Sequence, residues 1–247
     1  KDEVGRIINL VDSIYKIFGF EYGVELSTKP EKAMGSDEIW QIAVTSLKDA
    51  LESKKIEFKI NQGGGAFYGP KIDFHIKDVL GRSWQCGTIQ VDFQMPEKFG
   101  LSYIGEDNNK HPPVIIHRTI YGSIERFLGI LIEHFAGKFP LWLAPIQVRI
   151  LTVADRFMGY AENIREEMER NNVRAEIDSR TESVGYKVRE AQMQKIPLIL
   201  TVGEKEENSN TVAIRTIDNK VHFNIKSEDL IKKVLNSVNN KEISFSF

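Results

Sequence analysis

A strand pattern that runs through a glycine straight into a helix pattern constrains this chain most, and it occupies residues 113–135. The β-branched residues from Val114 to Ile120 suit a central strand, and Gly122 with Ser123 marks the change of period. Apolar residues then recur at helical spacing, namely Phe127, Leu128, Leu131, Ile132 and Phe135. Amides at a helix start favour negative charge, and Arg126 in the first turn offers a planar cation that can stack on an aromatic ring. The segment therefore predicts a nucleotide site.

Three runs in a fixed order carry a family resemblance. The first is Gln62-Gly-Gly-Gly-Ala-Phe-Tyr-Gly-Pro-Lys-Ile-Asp-Phe74, the second is Trp84-Gln-Cys-Gly-Thr-Ile-Gln-Val-Asp-Phe93, and the third joins His117-Arg118 to Gly122-Ser-Ile-Glu-Arg126. The end of the third run resembles the third signature motif of class II aminoacyl-tRNA synthetases, in which Glu-Arg follows a small residue at a turn. Together the runs resemble the threonyl-tRNA synthetase family, and the resemblance covers nearly all 247 residues.

The predicted fold has two parts. Short β-type runs split by Gly and Pro dominate from Glu57 to Ile120, which predicts a meandering antiparallel sheet. Around residues 141–146 a proline interrupts an apolar stretch, and beyond it strand patterns alternate with helix patterns. We therefore expect an α+β catalytic domain of the class II synthetase type over 1–143. An α/β domain with a mixed, mostly parallel sheet is expected over 144–247, and in the resembled family this is the anticodon-binding domain.

Composition restricts the partners and the compartment. The formal charge is -2, so the chain as a whole does not attract nucleic acid and any RNA contact must be local. A single cysteine excludes an internal disulfide framework, and no apolar run is long enough to cross a bilayer. We expect a cytoplasmic protein without a membrane partner. Because the chain opens directly into a helix pattern, without an initiator methionine or a signal peptide, we expect a fragment of a longer protein.

The resemblance implies two reaction steps. ATP and threonine form an aminoacyl-adenylate with loss of pyrophosphate, and the threonyl group then passes to the terminal ribose of tRNA(Thr). Charge gathers on the α-phosphate, so fixed cations and Mg²⁺ matter more than acid–base groups. Lys71 and Arg126 are the catalytic candidates, and Arg126 is expected to stack on the adenine of ATP. The expected ATP contacts are Gln85, Thr88 and Arg126. The alternative for Arg126 is a surface pair with a neighbouring acid.

Polar residues near the same strands are the candidates for binding threonine, namely Tyr68, Thr88, Gln90 and Ser123. Thr88 and Gln90 share a face by the two-residue period of a strand, and the resemblance implies that Tyr68 holds the substrate amino group. A solvated sheet face is the alternative. Three consecutive glycines upstream of Tyr68 predict either a mobile lip over the site or a hairpin loop. Asp73 can line the same face as Lys71, where a structural ion pair competes with a catalytic role.

His117 is the candidate metal ligand. The resembled family holds Zn²⁺ with one cysteine and two histidines, and the zinc coordinates the amino and hydroxyl groups of threonine. Valine lacks the hydroxyl, so such a site rejects an isostere that an apolar pocket rejects poorly. Of the three ligands only His117 has a counterpart here, and the other two are expected upstream of Lys1. Without the motif, a lone histidine on a strand is by default a hydrogen-bonded core residue.

Charged residues of the second domain are the candidates for anticodon binding, namely Arg180, Glu182, Lys187, Arg189, Glu206 and Arg215. Arginine can pair with guanine or stack on an unpaired base, a carboxylate can accept from a base edge, and lysine can hold a phosphate. Glu206 and Arg215 match positions that read anticodon bases in the resembled family. The alternative for each residue is a charge that faces only solvent.

Three interpretations of the whole chain stay open at this point. The first is threonyl-tRNA synthetase activity; the first and second class II motifs are absent from this sequence, so the fragment is expected to be inactive alone and the full-length chain to be a homodimer. The second is a sister class II synthetase for another small amino acid such as proline or serine, and His117 argues against it. The third is a synthetase-like RNA-binding or regulatory protein that has lost catalysis, and the intact 122–126 run argues against that.

Overall fold

The computed structural model describes residues 2–247 and divides into two compact units. The first unit ends at Glu133, and the second runs from His134 to Phe247. The boundary expected at 143/144 falls inside the second unit, and the point at which one functional domain gives way to the other stays a prediction. Over the described residues, no helix combines the length and the apolar character that crossing a membrane requires.

The first unit begins with two helices, and the residue types at Gly19 and Ser36 account for the end of the first helix and the start of the second. Gly19 follows the first helix with a φ of +73°, and Ser36 Oγ caps the second by accepting from Ile39 N at 3.4 Å. The elements in chain order are α1 (Asp2–Ile17), β1 (Tyr22–Ser27), α2 (Asp37–Ser53), β2 (Lys59–Asn61), β3 (Lys71–Lys77), β4 (Ser83–Asp92), α3 (Gln94–Lys98), β5 (Tyr103–Ile104), β6 (Lys110–His111), β7 (Ile115–Thr119) and α4 (Ile124–His134).

The main sheet of the first unit has the strand order β2-β1-β3-β4-β7. All its pairs are antiparallel except β1 with β2, which confirms the predicted antiparallel sheet. Alternate residues of β3 point to opposite faces, and Ile72, Phe74 and Ile76 are fully buried on the face that α1 and α2 cover. The other face carries Lys71 and Asp73 and is polar. It is this polar face that positions the candidate site.

Strand β7 lies at an edge of this sheet, among the strands found in residues 2–247, although its β-branched residues predict a central strand. Ile115 and Ile116 are only half-buried, and Arg118 is exposed. β-Branched side chains indicate a pleated, partly buried surface and not a position in the strand order. The prediction of a strand was therefore right, and the prediction of its central place was wrong for the described part of the sheet.

The second unit is a mixed α/β layer structure, as predicted. Its elements are β8 (Val148–Thr152), α5 (Met158–Arg170), β9 (Ala175–Asp178), α6 (Val184–Met193), β10 (Leu198–Val202), α7 (Glu204–Ser209), β11 (Thr211–Thr216), β12 (Val221–Lys226) and α8 (Ser227–Asn239). The strand order is β12-β11-β10-β8-β9, with β8 parallel to β9 and β10, and with β11 antiparallel to β10 and β12. Helix α7 was not predicted, because its six residues include no apolar stripe.

A buried carboxylate holds the turn between β3 and β4. Asp78 accepts from Leu80 N, Arg82 N and Arg82 Nε, and from Trp84 Nε1 at 2.9 Å. The hydrogen bonds from Trp84 and Arg82 hold the pKa of Asp78 down at about 2, so the carboxylate is charged throughout the neutral range. The turn thereby fixes the Trp84 indole at the start of β4, beside the candidate site.

Candidate functional site

A β-bulge in β4 decides which side chains meet Asp73. Gln85 and Thr88 are three residues apart, so the regular period of a strand would place them on opposite faces. The register against β3 shifts by one residue at Cys86, and the bulge turns both side chains to one face. Gln85 Nε2 donates to Asp73 Oδ1 at 2.6 Å, and Thr88 Oγ1 donates to the same oxygen at 2.9 Å.

The second carboxylate oxygen of Asp73 is also occupied. Lys71 Nζ donates to Oδ2 at 2.6 Å, and Ser27 Oγ donates to it at 3.2 Å. The Asp73 side chain is 3% exposed and that of Lys71 is 17% exposed, so the ion pair is shielded from water. Three site candidates from the sequence, Lys71, Gln85 and Thr88, therefore converge on one buried carboxylate.

A second cluster surrounds His117 on the same face of the sheet. Gln90 and His117 are direct cross-strand partners, and the Tyr68 hydroxyl donates to Gln90 Oε1. The rings of Tyr68 and His117 meet edge to face with their centroids 5.7 Å apart. His117 Nε2 lies 3.1 Å from Asp92 Oδ2. Burial, and to a smaller extent the charge of Asp92, raises the pKa of Tyr68, so its hydroxyl keeps the proton that it donates.

The turn that carries Tyr68 presses directly on β4. Gly69 N donates to Ala66 O at 3.2 Å, and Val91 N donates to Pro70 O at 3.1 Å. A Cβ atom on Gly69 would lie 1.7 Å from Val91 O, so no other residue fits without a shift of the backbone. This close approach is what brings Tyr68 to the second cluster.

Arg126 crosses the glycine turn at the start of α4. Its Nη2 donates to the backbone carbonyl of Gln85 at 2.7 Å, and its guanidinium lies 5.9 Å from the ring centre of Trp84. Gly122 has a φ of +68°, and a Cβ atom there would lie 2.8 Å from Arg126 Nη2. Because Gln85 contacts Asp73 with its side chain and Arg126 with its carbonyl, Arg126 belongs to the same constellation as the Asp73 group.

Ser123 begins α4. Its Oγ accepts from Arg126 N at 3.2 Å and its carbonyl accepts from Phe127 N at 3.0 Å, which is the geometry of a helix cap. The side chain is exposed. Capping explains a serine at this position, and a contact between Ser123 and threonine stays a prediction.

His117 fits a metal site as a single ligand. Its side chain is 47% exposed, and a proton on Nε2 can be donated to Asp92, which leaves the lone pair of Nδ1 for a metal ion. Within residues 2–247, the surroundings of His117 included, no three histidine, cysteine or acidic side chains come together to hold an ion. The described residues therefore do not complete a site for Zn²⁺ or Mg²⁺.

In the second unit, Asp178 organises two of the predicted RNA contacts. Arg180 donates to both carboxylate oxygens, at 2.9 Å and 2.6 Å, which lowers the pKa of Asp178 and raises the pKa of Arg180. Lys187 is buried, and its Nζ donates to Asp178 O at 3.1 Å. Arg180 is exposed beside Glu182, and all three predicted residues line a cleft of about 350 Å³. Arg180 is thus a fixed surface cation, whereas the Lys187 ammonium faces a backbone carbonyl.

The remaining RNA candidates lie elsewhere in the unit. Arg189 and Asn219 line a separate cleft of about 310 Å³, and Arg215 Nη1 donates to Asn219 O at 3.5 Å. Glu206 is half-buried at the start of α7, where its Oε2 accepts from Gly203 N at 3.1 Å. The candidates are therefore distributed over more than one surface, and which of them meet RNA stays a prediction.

Two carboxylates, Asp73 and Asp92, make more contacts with the candidate site residues than the sequence predicts. The sequence leaves two alternatives open for Asp73, a structural ion pair with Lys71 and a catalytic role, and in the structure Asp73 accepts hydrogen bonds from four side chains. Asp92 was not considered, although it follows Thr88 and Gln90 at the even spacing that places all three on one face. That spacing was the available signal.

Two family models match separate parts of the chain. The family model described as tRNA synthetase class II core domain (G, H, P, S and T) matches residues 1–135. The family model described as anticodon binding domain matches residues 147–237. These two segments correspond to the antiparallel and the mixed sheet respectively.

Individual relatives match along most of the chain. The threonine–tRNA ligase of Carboxydothermus hydrogenoformans is 62% identical over 215 residues, which are 87% of this chain and 34% of that protein. The threonine–tRNA ligase of Clostridium botulinum is 56% identical over 241 residues, which are 98% of this chain and 38% of that protein. The chain thus spans little more than a third of the length of these relatives.

A solved structure gives the same result for the fold. The crystal structure of the RNA binding domain of threonyl-tRNA synthetase from Cryptosporidium parvum superposes with a TM-score of 0.89 at 34% identity, covering 100% of this chain and 61% of that one. The core-domain match alone takes in more than half of the sequence. The chain belongs to the class II tRNA synthetases of the group that serves G, H, P, S and T, and it carries part of their core domain followed by an anticodon-binding domain.

Proposed function

We propose that the complete protein attaches threonine to tRNA(Thr) at the expense of ATP, and that this chain supplies part of its catalytic domain. One observation carries the proposal: the Asp73 and His117 clusters lie side by side on one polar face of the sheet, and Arg126 donates to the carbonyl of Gln85 next to them. The names of the relatives support threonine as the amino acid, because the identity extends over both sheets.

The first step of this reaction needs positioning and positive charge. A carboxylate oxygen of threonine attacks the α-phosphorus of ATP, and pyrophosphate leaves with the electron pair of the broken P–O bond. We propose that Arg126 stacks on adenine, that Gln85 and Thr88 bind ATP, and that Lys71 stabilises charge near the reacting phosphate. Mg²⁺, when bound, would neutralise phosphate charge.

Threonine itself would lie nearer to the second cluster. We propose that Tyr68, Thr88, Gln90 and Ser123 bind it, with the Tyr68 and Gln90 pair closest to the amino group. A ribose hydroxyl at the end of tRNA(Thr) then attacks the carbonyl carbon of the adenylate, the bond from that carbon to the phosphate oxygen breaks, and AMP leaves with the electron pair. The hydroxyl proton passes to a phosphate oxygen of the leaving AMP.

The second unit would bind the anticodon of tRNA(Thr), as the family description of residues 147–237 supports. We propose Arg180, Lys187, Arg189, Glu206 and Arg215 as its contacts. Among these, Arg180 is the best prepared, because Asp178 fixes its planar guanidinium at the surface. We further propose a cytoplasmic homodimer.

The proposed function is tested by amino-acid-dependent exchange of pyrophosphate into ATP, measured with the full-length protein, Zn²⁺ and Mg²⁺. We expect threonine to support exchange at a rate well above serine, proline or valine. Exchange led by proline or serine would assign the protein to a sister synthetase. No exchange with any amino acid, together with retained RNA binding, would favour a protein that kept the fold and lost catalysis.

We also propose that His117 is a ligand of Zn²⁺, with further ligands from outside the described residues. His117→Ala in the full-length protein is expected to reduce bound zinc from about one per chain to a small fraction, since a structural or catalytic zinc needs its full ligand set. Activation of valine relative to threonine is expected to rise, because recognition of the hydroxyl is lost.

His111→Ala is the matched control for this zinc prediction. His111 also pairs with a carboxylate, since its Nε2 lies 2.9 Å from Asp107 Oδ1, but it lies outside the polar face. Metal content measured on both purified variants separates the loss of a ligand from the loss of a histidine–carboxylate pair. Zinc content and valine discrimination that are the same in both variants would refute the assignment.

A further inference from the structure

We propose that Asp73 is a positioning residue for the adenylation site: it fixes the direction of the Gln85 amide and the Thr88 hydroxyl, and it anchors the Lys71 ammonium. Asp73 acts through these three groups and not by touching the substrate. This inference rests on the proposed function, and it names the group that prepares the site for ATP.

Asp73 can impose a direction because an ionised carboxylate only accepts hydrogen bonds. Its two oxygens offer about four acceptor positions, and four donors occupy them: Ser27 Oγ, Lys71 Nζ, Gln85 Nε2 and Thr88 Oγ1. A buried carboxylate that is satisfied in this way stabilises one arrangement of its partners and disfavours any other. The side chain is 3% exposed, so water cannot substitute readily for a missing partner.

The consequence for a ligand is a fixed pattern of hydrogen-bond polarity. With Nε2 bound to Asp73, the amide oxygen of Gln85 is turned away from the carboxylate as an acceptor. The Thr88 hydroxyl donates its hydrogen to Asp73, so only its lone pairs remain available to a ligand. Both groups would therefore face donors of the ligand, such as ribose hydroxyls, the adenine amino group or the ammonium of the amino acid. Lys71 keeps two N–H groups for phosphate oxygens.

An ordinary ion pair does not need this construction. Lys71 and Asp73 are on the same strand two residues apart, and they could pair with no help from elsewhere. Here β1 contributes Ser27, and β4 carries an extra residue whose effect is to bring Gln85 to the side of Thr88. The bulge interrupts the regular hydrogen-bonding ladder between β3 and β4, and as a result Gln85 and Thr88 both reach Asp73.

The test uses the full-length protein and measures KM for ATP and kcat separately in threonine-dependent exchange. Asp73→Asn replaces one acceptor oxygen by an NH₂ donor. In one orientation of the amide this donor faces Gln85 Nε2 and Thr88 Oγ1, and in the other it faces Lys71 Nζ. We expect kcat/KM for ATP to fall at least about tenfold, with a rise in KM for ATP as a main component. A purely structural role would reduce the folded fraction and hence apparent kcat, but it would leave KM for ATP unchanged.

Two further variants make the outcome decisive. Asp73→Glu keeps an acceptor-only group and is expected to lie nearer to wild type in KM for ATP than Asp73→Asn. Asp12→Asn removes a carboxylate that also binds a lysine and a hydroxyl, at 2.7 Å from Lys16 Nζ and 2.8 Å from Tyr22 Oη, away from the polar face. It is expected to leave KM for ATP unchanged.

An Asp73→Asn protein with the wild-type KM for ATP would overturn the inference, and so would an Asp12→Asn protein with the same rise in KM. Should Asp73→Asn fail to fold, Asp73→Ser takes its place with the same expected rise, because the smaller side chain lets water enter. Wild-type protein that shows no threonine-dependent exchange would refute the proposed function, and equilibrium binding of ATP to the same variants would then decide on Asp73.

Discussion

Replacement of Arg126 by alanine is expected to lower threonine-dependent exchange of pyrophosphate into ATP by about 30-fold, because a desolvated cation–π contact with adenine is worth about 2 kcal/mol. Arg126 is exposed, yet its Nη2 is fixed at 2.7 Å from the carbonyl of Gln85 and its guanidinium carbon lies 5.9 Å from the ring centre of Trp84. The guanidinium is therefore already oriented before ATP arrives. Arg126→Lys is expected to recover little, because a lysine ammonium has neither the plane nor the fork of donors.

Arg82→Ala is the matched control for Arg126→Ala. The Arg82 guanidinium lies 5.6 Å from the ring centre of the same Trp84, but its hydrogen bond goes to Asp78 in the β3–β4 turn. Both changes thus remove a guanidinium group near Trp84, but only Arg126→Ala also removes the contact with Gln85 in the candidate site. Exchange rates and KM for ATP are measured on both, after correction for the folded fraction. If the two variants lose activity to the same extent, Arg126 has no special part in adenylation.

The sequence was sufficient wherever local chemistry decides the structure. The strand, turn and helix from 115 to 134, the capping by Ser36 and the helix end at Gly19 all follow from residue types at short range. The same holds for the hairpin of β11 and β12, which closes at residues 216–220. These features need no knowledge of the partner strands.

What could not be predicted depends on long-range register. A regular β4 would separate Gln85 from Thr88. Gly87 beside Cys86 indicates that a bulge can form there, but it does not predict that Gln85 and Thr88 both turn to Asp73. Asp73 could be recognised as a hub only once β1 and β4 were known to flank β3. From its residue type, Lys187 is expected on the exposed face of a helix. Only the fold shows that it is buried and that its ammonium donates to the carbonyl of Asp178.

Replacement of Gly69 by alanine is expected to have the second large effect, on stability as well as on activity. The added Cβ would lie 1.7 Å from Val91 O and 2.9 Å from Val91 C, and both are backbone atoms of a paired central strand. The turn must therefore move away from β4. Overpacking of this kind costs about 1–3 kcal/mol, and here a main-chain clash places the expectation at the upper end. Urea or thermal unfolding of the full-length protein measures the loss.

The activity of Gly69→Ala tells whether the turn serves the site or only the fold. A shift of the turn withdraws Tyr68 from Gln90 and His117, so KM for threonine is expected to rise in the fraction that stays folded. Gly23→Ala is the control, because a Cβ atom there would meet no heavy atom within 4 Å although Gly23 lies on a strand of the same sheet. A Gly69→Ala protein with the stability and the KM of Gly23→Ala would contradict the close approach of the turn to β4, and with it the placing of Tyr68 in the threonine site.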